Sequence, residues 1–292
     1  MPADSLSSDA RRKRLEGVNP DDFAWAVPMM RLGYAGRALV YLAVAGVSLY
    51  SIWRGGEAKG TAAALEWLQG GWGTAVIVLI AIGLFAYAVW RLIDSFWDLE
   101  AYGSGAKGLV ARAGMIATGI VHLALGGLAL TVIMGSGNAS GGNSSYLGTV
   151  LGTPGGQTAL AVAGVLTIGT GGYYVYKAWT ESYRNHLQAN PATMHMNAAL
   201  KAGLAAHGVV VAIIGVLILQ AALSASSASA GGMGSAFEWL YTKAYGRVLV
   251  TALCLGLLGF ALFCFVNALY RIVPKATDRT TETLRDALEK AS

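Results

Sequence analysis

Six stretches of the chain are almost continuously apolar, at about 32–53, 74–93, 113–134, 158–179, 202–223 and 247–270, and polar residues crowd into the segments between them. Each could cross a hydrocarbon core of about 30 Å as a helix, which takes roughly 20 residues. The sequence holds no run of ten-residue alternating segments of the kind an outer-membrane barrel requires. The pattern predicts an all-α, polytopic membrane protein with six transmembrane helices.

The six runs form three similar pairs. RLGYAGRALVYLAVAG (31–46), RAGMIATGIVHLALGG (112–127) and KAGLAAHGVVVAIIGV (201–216) align without a gap, each opening on a basic residue, one spacer and a glycine. Their partners align as GLFAYAVWRLID (83–94), GTGGYYVYKAWT (169–180) and GLLGFALFCFVN (256–267). One column then holds Tyr87, Tyr173 and Phe260, another Trp90, Tyr176 and Phe263. Two spans return the chain to its starting side, so the copies run parallel as three two-helix repeats in a quasi-threefold bundle. The expected organisation is a tail with an interfacial helix over 1–30, hairpin repeats over 31–98, 112–184 and 201–273, and an amphipathic tail over 274–292. Small residues coincide at Gly33, Gly114 and Gly203, at Ala38, Gly119 and Gly208, and at Ala45, Gly126 and Gly215. Small residues let membrane helices approach closely, so close packing among the odd-numbered spans is expected.

Composition agrees with the membrane reading. Hydrophobic residues make up 55% and charged residues 13% of the chain, against roughly 25% charged in a soluble domain. Residues 1–20 are polar and lack a signal-peptide core, so the first span is expected to serve as its own insertion signal. Of the 21 basic residues, all but Arg54, Lys59, Lys243 and Arg247 fall on the side of the termini. The positive-inside rule then places both termini in the cytoplasm. The net charge of +5 suits anionic headgroups and calls for no nucleic acid. Cys254 and Cys264, about 15 Å apart along one helix, cannot pair with each other and read as apolar packing residues.

The opening RLGYAGR together with GLFAYAVWRLIDSFWD (83–98) resembles the bacterial family filed as domain of unknown function 1206, described as repeated pairs of transmembrane helices. The resemblance covers nearly all of residues 31–273 and implies a multi-pass protein of the bacterial cytoplasmic (inner) membrane. It carries no activity with it. The later repeats depart from the motif: Arg37 corresponds to Thr118 and His207, Arg91 to Lys177 and Cys264, and Asp94 to Thr180 and Asn267.

Polar residues inside the spans are the candidate chemistry. Arg37 lies about 9 Å into its helix from Arg31, a position that calls for snorkelling or a partner. Asp94 on the returning span is the expected partner, in an inner-leaflet ion pair. One turn further in, Tyr41 aligns with His122 and Val211. If the odd spans share an axis, Arg37, Tyr41, Thr118, His122 and His207 form an intramembrane polar cluster. The histidines could titrate, bind a ligand or ligate a metal or haem, or could be satisfied core residues. Met194, His195 and Met196 in the inner connection 184–200 are a weak copper motif. No metal or cofactor is expected.

The sequence has no P-loop, HExxH, nucleophile elbow or dinucleotide fingerprint, so the reading leans away from an enzyme, with a lipid- or quinone-modifying enzyme as the third alternative. The N-terminal 7–17 reads as a basic helix, 20–28 as an interfacial helix, and 277–290 as an amphipathic helix that is solvated or lies on lipid. Segment 135–146 has linker composition, with N-x-S matches at Asn138 and Asn143. LEWLQGGWG (65–73) and FEWLYTKAYG (237–246), with a weaker middle copy at 146–156, are expected to lie flat at the interface and cap the bundle, with Trp67 and Trp239 at headgroup depth. The reading is a non-enzymatic bundle that associates with membrane lipids or with another membrane protein. The alternative is a small transporter or channel that uses the polar cluster.

Overall fold

A computed structural model of the chain describes residues 15, 17–135, 149–224, 232–277 and 281–291. The N-terminal segment before residue 15, the glycosylation motifs at Asn138 and Asn143, and the linker up to the middle outer connection lie outside the described residues. Six long helices cross: α1 (Ala26–Trp53), α3 (Gly71–Trp97), α4 (Ala106–Ile133), α5 (Gly156–Trp179), α6 (Pro191–Leu223) and α8 (Gly246–Tyr270). Two short helices, α2 (Thr61–Trp67) and α7 (Met233–Tyr241), lie in the first and third outer connections, and α9 (Leu284–Ala291) ends the chain.

Local sequence explains several boundaries. Asn190 caps α6 in a reciprocal box with Thr193, and Pro191 occupies the first turn, where its missing N–H costs nothing. Helix α6 therefore begins earlier than the hydrophobic pattern suggested and absorbs Met194, His195 and Met196, which had been read as loop. Asp98, in a left-handed conformation, ends α3, and its carboxylate accepts the amides of Tyr102 and Gly103 at 2.8 and 2.7 Å. Over 20–28 the expected interfacial helix is a single 3₁₀ turn, Pro20–Phe23, running into α1.

The spans form a ring in chain order. Helix α1 packs on α3, α3 on α4, α5 on α6, α6 on α8, and α8 returns to α1. A polar link at the outer end of each repeat repeats this order. The Gln69 amide donates to the Val132 carbonyl at 2.8 Å, that of Gln157 to Ala222 at 2.8 Å, and the Arg247 guanidinium to Ile52 at 2.6 Å. Each reaches the end of the next repeat's first span, and the third closes on the first. The outer helices α2 and α7 meet above this end, with Gly60 backbone against Gly234 and the Tyr241 hydroxyl accepting from the Ala58 amide.

The expectation that odd spans pack on one another does not hold in this arrangement. A Cβ on Gly33 would lie 2.6 Å from the Tyr87 Cα, and Gly203 abuts the backbone of Gly259 and Phe260, the second helix of the same hairpin. Gly119 and Gly126 instead face α3 at Ala88 and Phe85, and Gly208 and Gly215 face α5 at Gly171 and Ile168; the equivalent Ala38 and Ala45 are buried. Five residues separate the two columns, about 140° around a helix at 3.6 residues per turn. Each odd span thus has two small-residue faces, and in α6 each meets one even-span neighbour.

The ring has one break. Helices α4 and α5, the two spans of the second hairpin, do not pack along their length, and they are the least buried of the six. Val121 is 55% exposed, whereas Val40 and Val210 in the same column are 3% and 0% exposed. Tyr173 is 40% exposed where Tyr87 and Phe260 are 0% and 1%. Gly114, Gly169 and Gly172, whose counterparts seal the other hairpins, would meet nothing within 4 Å if given a Cβ.

On the side of the termini the chain is tied down. The α5–α6 connection bridges the C-terminal segment at Leu187 with Arg271 and at Gln188 with Thr283, and the Leu284 amide donates to Leu187 at 2.8 Å. Leu284 is fully buried and Leu288 packs on the core, so the terminal helix, shorter than 277–290, docks on the ring by one face and exposes Arg285, Glu289 and Lys290 on the other.

Candidate functional site

The interior of the ring is built from every span. Arg37 of α1 is 4% exposed and donates to the Tyr87 hydroxyl of α3 at 2.8 Å. Its guanidinium lies 4.6 Å from the Tyr87 ring centre, 5.4 Å from that of Phe260 on α8, and 5.9 Å from those of Tyr34 and Tyr41. Four aromatic faces around one cation offset part of its desolvation, at about 0.5–2 kcal/mol each. Its Nε has no hydrogen-bond partner.

Two arms of aromatic contacts join Arg37 to the break in the ring. On one side His122 of α4 sits 4.5 Å from the Tyr87 ring. Its Nδ1 is 2.8 Å from the Thr118 carbonyl, so Nδ1 carries the proton and Nε2 is left as the acceptor. On the other side Tyr174 of α5 contacts His207 of α6 at 5.0 Å, and His207 stacks on Phe260 at 3.8 Å with 5° between planes. Tyr41 meets both His207 and Phe260 edge-on. His207 Nδ1 is buried without a partner.

Arg37, Tyr41, His122 and His207 therefore line one interior. Thr118 does not join them: its hydroxyl bonds back to Gly114 of its own helix at 2.7 Å. Sequence reasoning missed Tyr34, Phe260 and Tyr174 as cage members. The aligned column of Tyr87, Tyr173 and Phe260 was a usable signal for two of its walls.

The expected ion pair of Arg37 with Asp94 is absent. Asp94 pairs instead with Arg91 at 3.1 Å and accepts the Glu100 amide at 3.2 Å. Three residues separate Arg91 from Asp94, which puts them on one face of α3. Glu100 in the α3–α4 connection pairs with Arg271 and lies 3.9 Å from Arg91. Burial alone would raise the Glu100 carboxyl, but Arg271, then His186 and Arg91, hold it well below the usual carboxylate range. This network locks the first hairpin to the end of the third, aided by Lys275 donating to the Trp97 carbonyl at 2.7 Å. Two carboxylates thus serve Arg91 and Arg271, and Arg37 forms no ion pair among the described residues.

Among the described residues no three His, Cys, Asp or Glu side chains converge as metal ligands. His195 bonds the Pro191 carbonyl at 2.6 Å, and Met194 and Met196 stand partly exposed beside it. Cys254 and Cys264 are buried and unpaired.

Comparison with known proteins places the architecture. A Bacillus subtilis (strain 168) relative, "Uncharacterized protein YxxB", is 23% identical over 258 residues, spanning 85% of this chain and 92% of its own length. No solved structure matches. The model of one family, described as Domain of Unknown Function (DUF1206), matches three times, over residues 32–98, 113–181 and 202–271, which are the three hairpins. The chain therefore belongs to the DUF1206 family, as a six-span membrane protein built from three copies of its two-helix unit.

Proposed function

We propose that the protein is a non-enzymatic membrane module that admits a lipid into its ring through the seam between α4 and α5. The observation that carries this reading is the exposure, in the second hairpin alone, of positions that are buried in the first and third. Thr170 and Tyr173 on α5 and Val121 on α4 face outward where a closed ring would cover them. Such a face in a membrane contacts acyl chains. A shallow apolar pocket lined by Ala161, Val162, Val165 and Leu166 lies on the same helix. Gly114, Gly169 and Gly172 would meet nothing within 4 Å if given a Cβ, which leaves room along the seam for an acyl chain. The basic side of the ring, with both termini, lies in the cytoplasm in this reading, and the membrane is the bacterial inner membrane.

Photoactivatable lipid carrying a diazirine in its acyl chain tests the proposal. After irradiation in native membranes, adducts are expected on Leu166, Thr170 and Tyr173 and absent from the equivalent Ile80, Leu84 and Tyr87. Adducts confined to the outer surface of all three hairpins would overturn it. A transporter or channel reading has one observation behind it, the buried histidines along the interior. It requires pH-dependent flux in liposomes that His122→Ala abolishes.

A further inference from the structure

We propose that Arg37 is the acceptor for the singly charged anionic headgroup, a carboxylate or phosphodiester, of an amphiphile that enters through the α4–α5 seam. The inference rests on the lipid-admitting reading above and names the ligand class.

Three arginines, Arg37, Arg91 and Arg271, lie in or beside the inner half of the ring, with Asp94 and Glu100 as the only carboxylates bonded to any of them among the described residues. Arg91 and Arg271 have them. One positive charge remains, at a residue that is 96% removed from solvent, since its exposure is 4%. A buried cation without a counter-ion is costly, and aromatic faces and one phenol recover only part of that cost. A guanidinium keeps its proton in a protein, so the imbalance is not relieved by neutralisation. An anion from outside relieves it.

Side-chain contacts mark the direction from the seam to the guanidinium. His122 and Tyr174 stand on the two helices that flank the seam, and both belong to the aromatic arms that lead to Arg37. The walls also offer donors suited to an oxyanion: the unpartnered Nε–H of Arg37 and, in the tautomer that protonates it, the unpartnered Nδ1 of His207. Guanidinium is the side chain best matched to carboxylate and phosphate oxygens, which it binds with paired donors. The seam beyond is apolar and suits the acyl chains.

The test uses the full-length protein in mild detergent, equilibrated with equal amounts of phosphatidylglycerol and phosphatidylcholine of the same chains. Retained lipid is counted by native mass spectrometry. One phosphatidylglycerol per chain is expected, with at least about tenfold preference over phosphatidylcholine, equivalent to about 1.4 kcal/mol. Oleate should compete for it, and inorganic phosphate should not. Arg37→Gln should lose the preference, and Arg37→Lys, which keeps the charge, should retain most of it. Equal retention of both lipids by the native protein overturns the inference and leaves the seam reading standing. Retention of neither overturns the seam reading itself. Competition by inorganic phosphate as effective as by oleate overturns the amphiphile assignment. If Arg37→Gln does not fold, the native protein's selectivity decides alone.

Discussion

Gly33 and Gly114 occupy the same column of two homologous hairpins, and the structure assigns them opposite responses to one added methyl group. On Gly33 the new Cβ would sit 2.6 Å from the Tyr87 Cα and 2.8 Å from its amide nitrogen. Carbon atoms rest at about 3.5–4.0 Å, so α1 and α3 must separate by about 1 Å. Overpacking of this kind costs about 1–3 kcal/mol. On Gly114 the same methyl meets nothing within 4 Å, and alanine gains up to about 1 kcal/mol of helix propensity over glycine. Both are glycine-to-alanine changes inside a helix, so the propensity gain cancels and the two substitutions should differ by the overpacking cost, about 1–3 kcal/mol. Gly203→Ala, facing the backbone of Gly259 and Phe260, belongs with Gly33→Ala. Equilibrium unfolding by sodium dodecyl sulfate in mixed micelles measures all three. If Gly114→Ala loses as much stability as Gly33→Ala, α4 and α5 are packed together in the folded protein and the reasoning fails.

Three further outcomes follow from the ring. Arg247→Ala removes a charged donor from the Ile52 carbonyl and should cost about 1.5–3 kcal/mol; Arg247→Gln should cost much less, because Gln157 makes the same link at the equivalent position. Glu100→Gln leaves Arg271 without its carboxylate and should destabilise by about 3–5 kcal/mol in thermal or detergent unfolding. Because the folded-state carboxyl of Glu100 is held below its unfolded value, its contribution is complete above the unfolded pKa of about 4.3 and is lost as pH falls below it. Wild-type stability should drop over that acid range, and Glu100→Gln should flatten the drop; identical acid profiles would remove Glu100 from the account.

Much of this architecture was legible because hydropathy and repetition are local properties. Six apolar runs and three aligned copies give helix number, direction and quasi-symmetry without any knowledge of contacts. Which helix a small residue faces is not local. Gly33 and Gly119 look alike in sequence, yet one meets its own hairpin partner and the other the preceding repeat, because five residues turn a helix by about 140°. The same holds for ion pairs. Asp94 was in reach of both Arg37 and Arg91 by sequence, and the three-residue spacing on one helix face won over the cross-helix pair. The departures at positions 37, 91 and 94 of the motif fall in the second and third repeats alike. They did not reveal the open seam, because Gly114, Gly169 and Gly172 keep the residues of a closed one.

Disulfide trapping across equivalent positions tests the open seam most directly. Gly36 with Gly83, Ala117 with Gly169, and Ala206 with Gly256 are matched pairs in the three hairpins, and in the first and third a Cβ added to the glycine would meet its partner at less than 3 Å. In a background with Cys254→Ala and Cys264→Ala, oxidation of native membranes should join the Ala206→Cys/Gly256→Cys pair, with α6 and α8 separating by about 1 Å to reach disulfide geometry. The Ala117→Cys/Gly169→Cys pair should stay reduced under the same conditions. Rapid crosslinking of that second pair would show a closed ring and contradict the account.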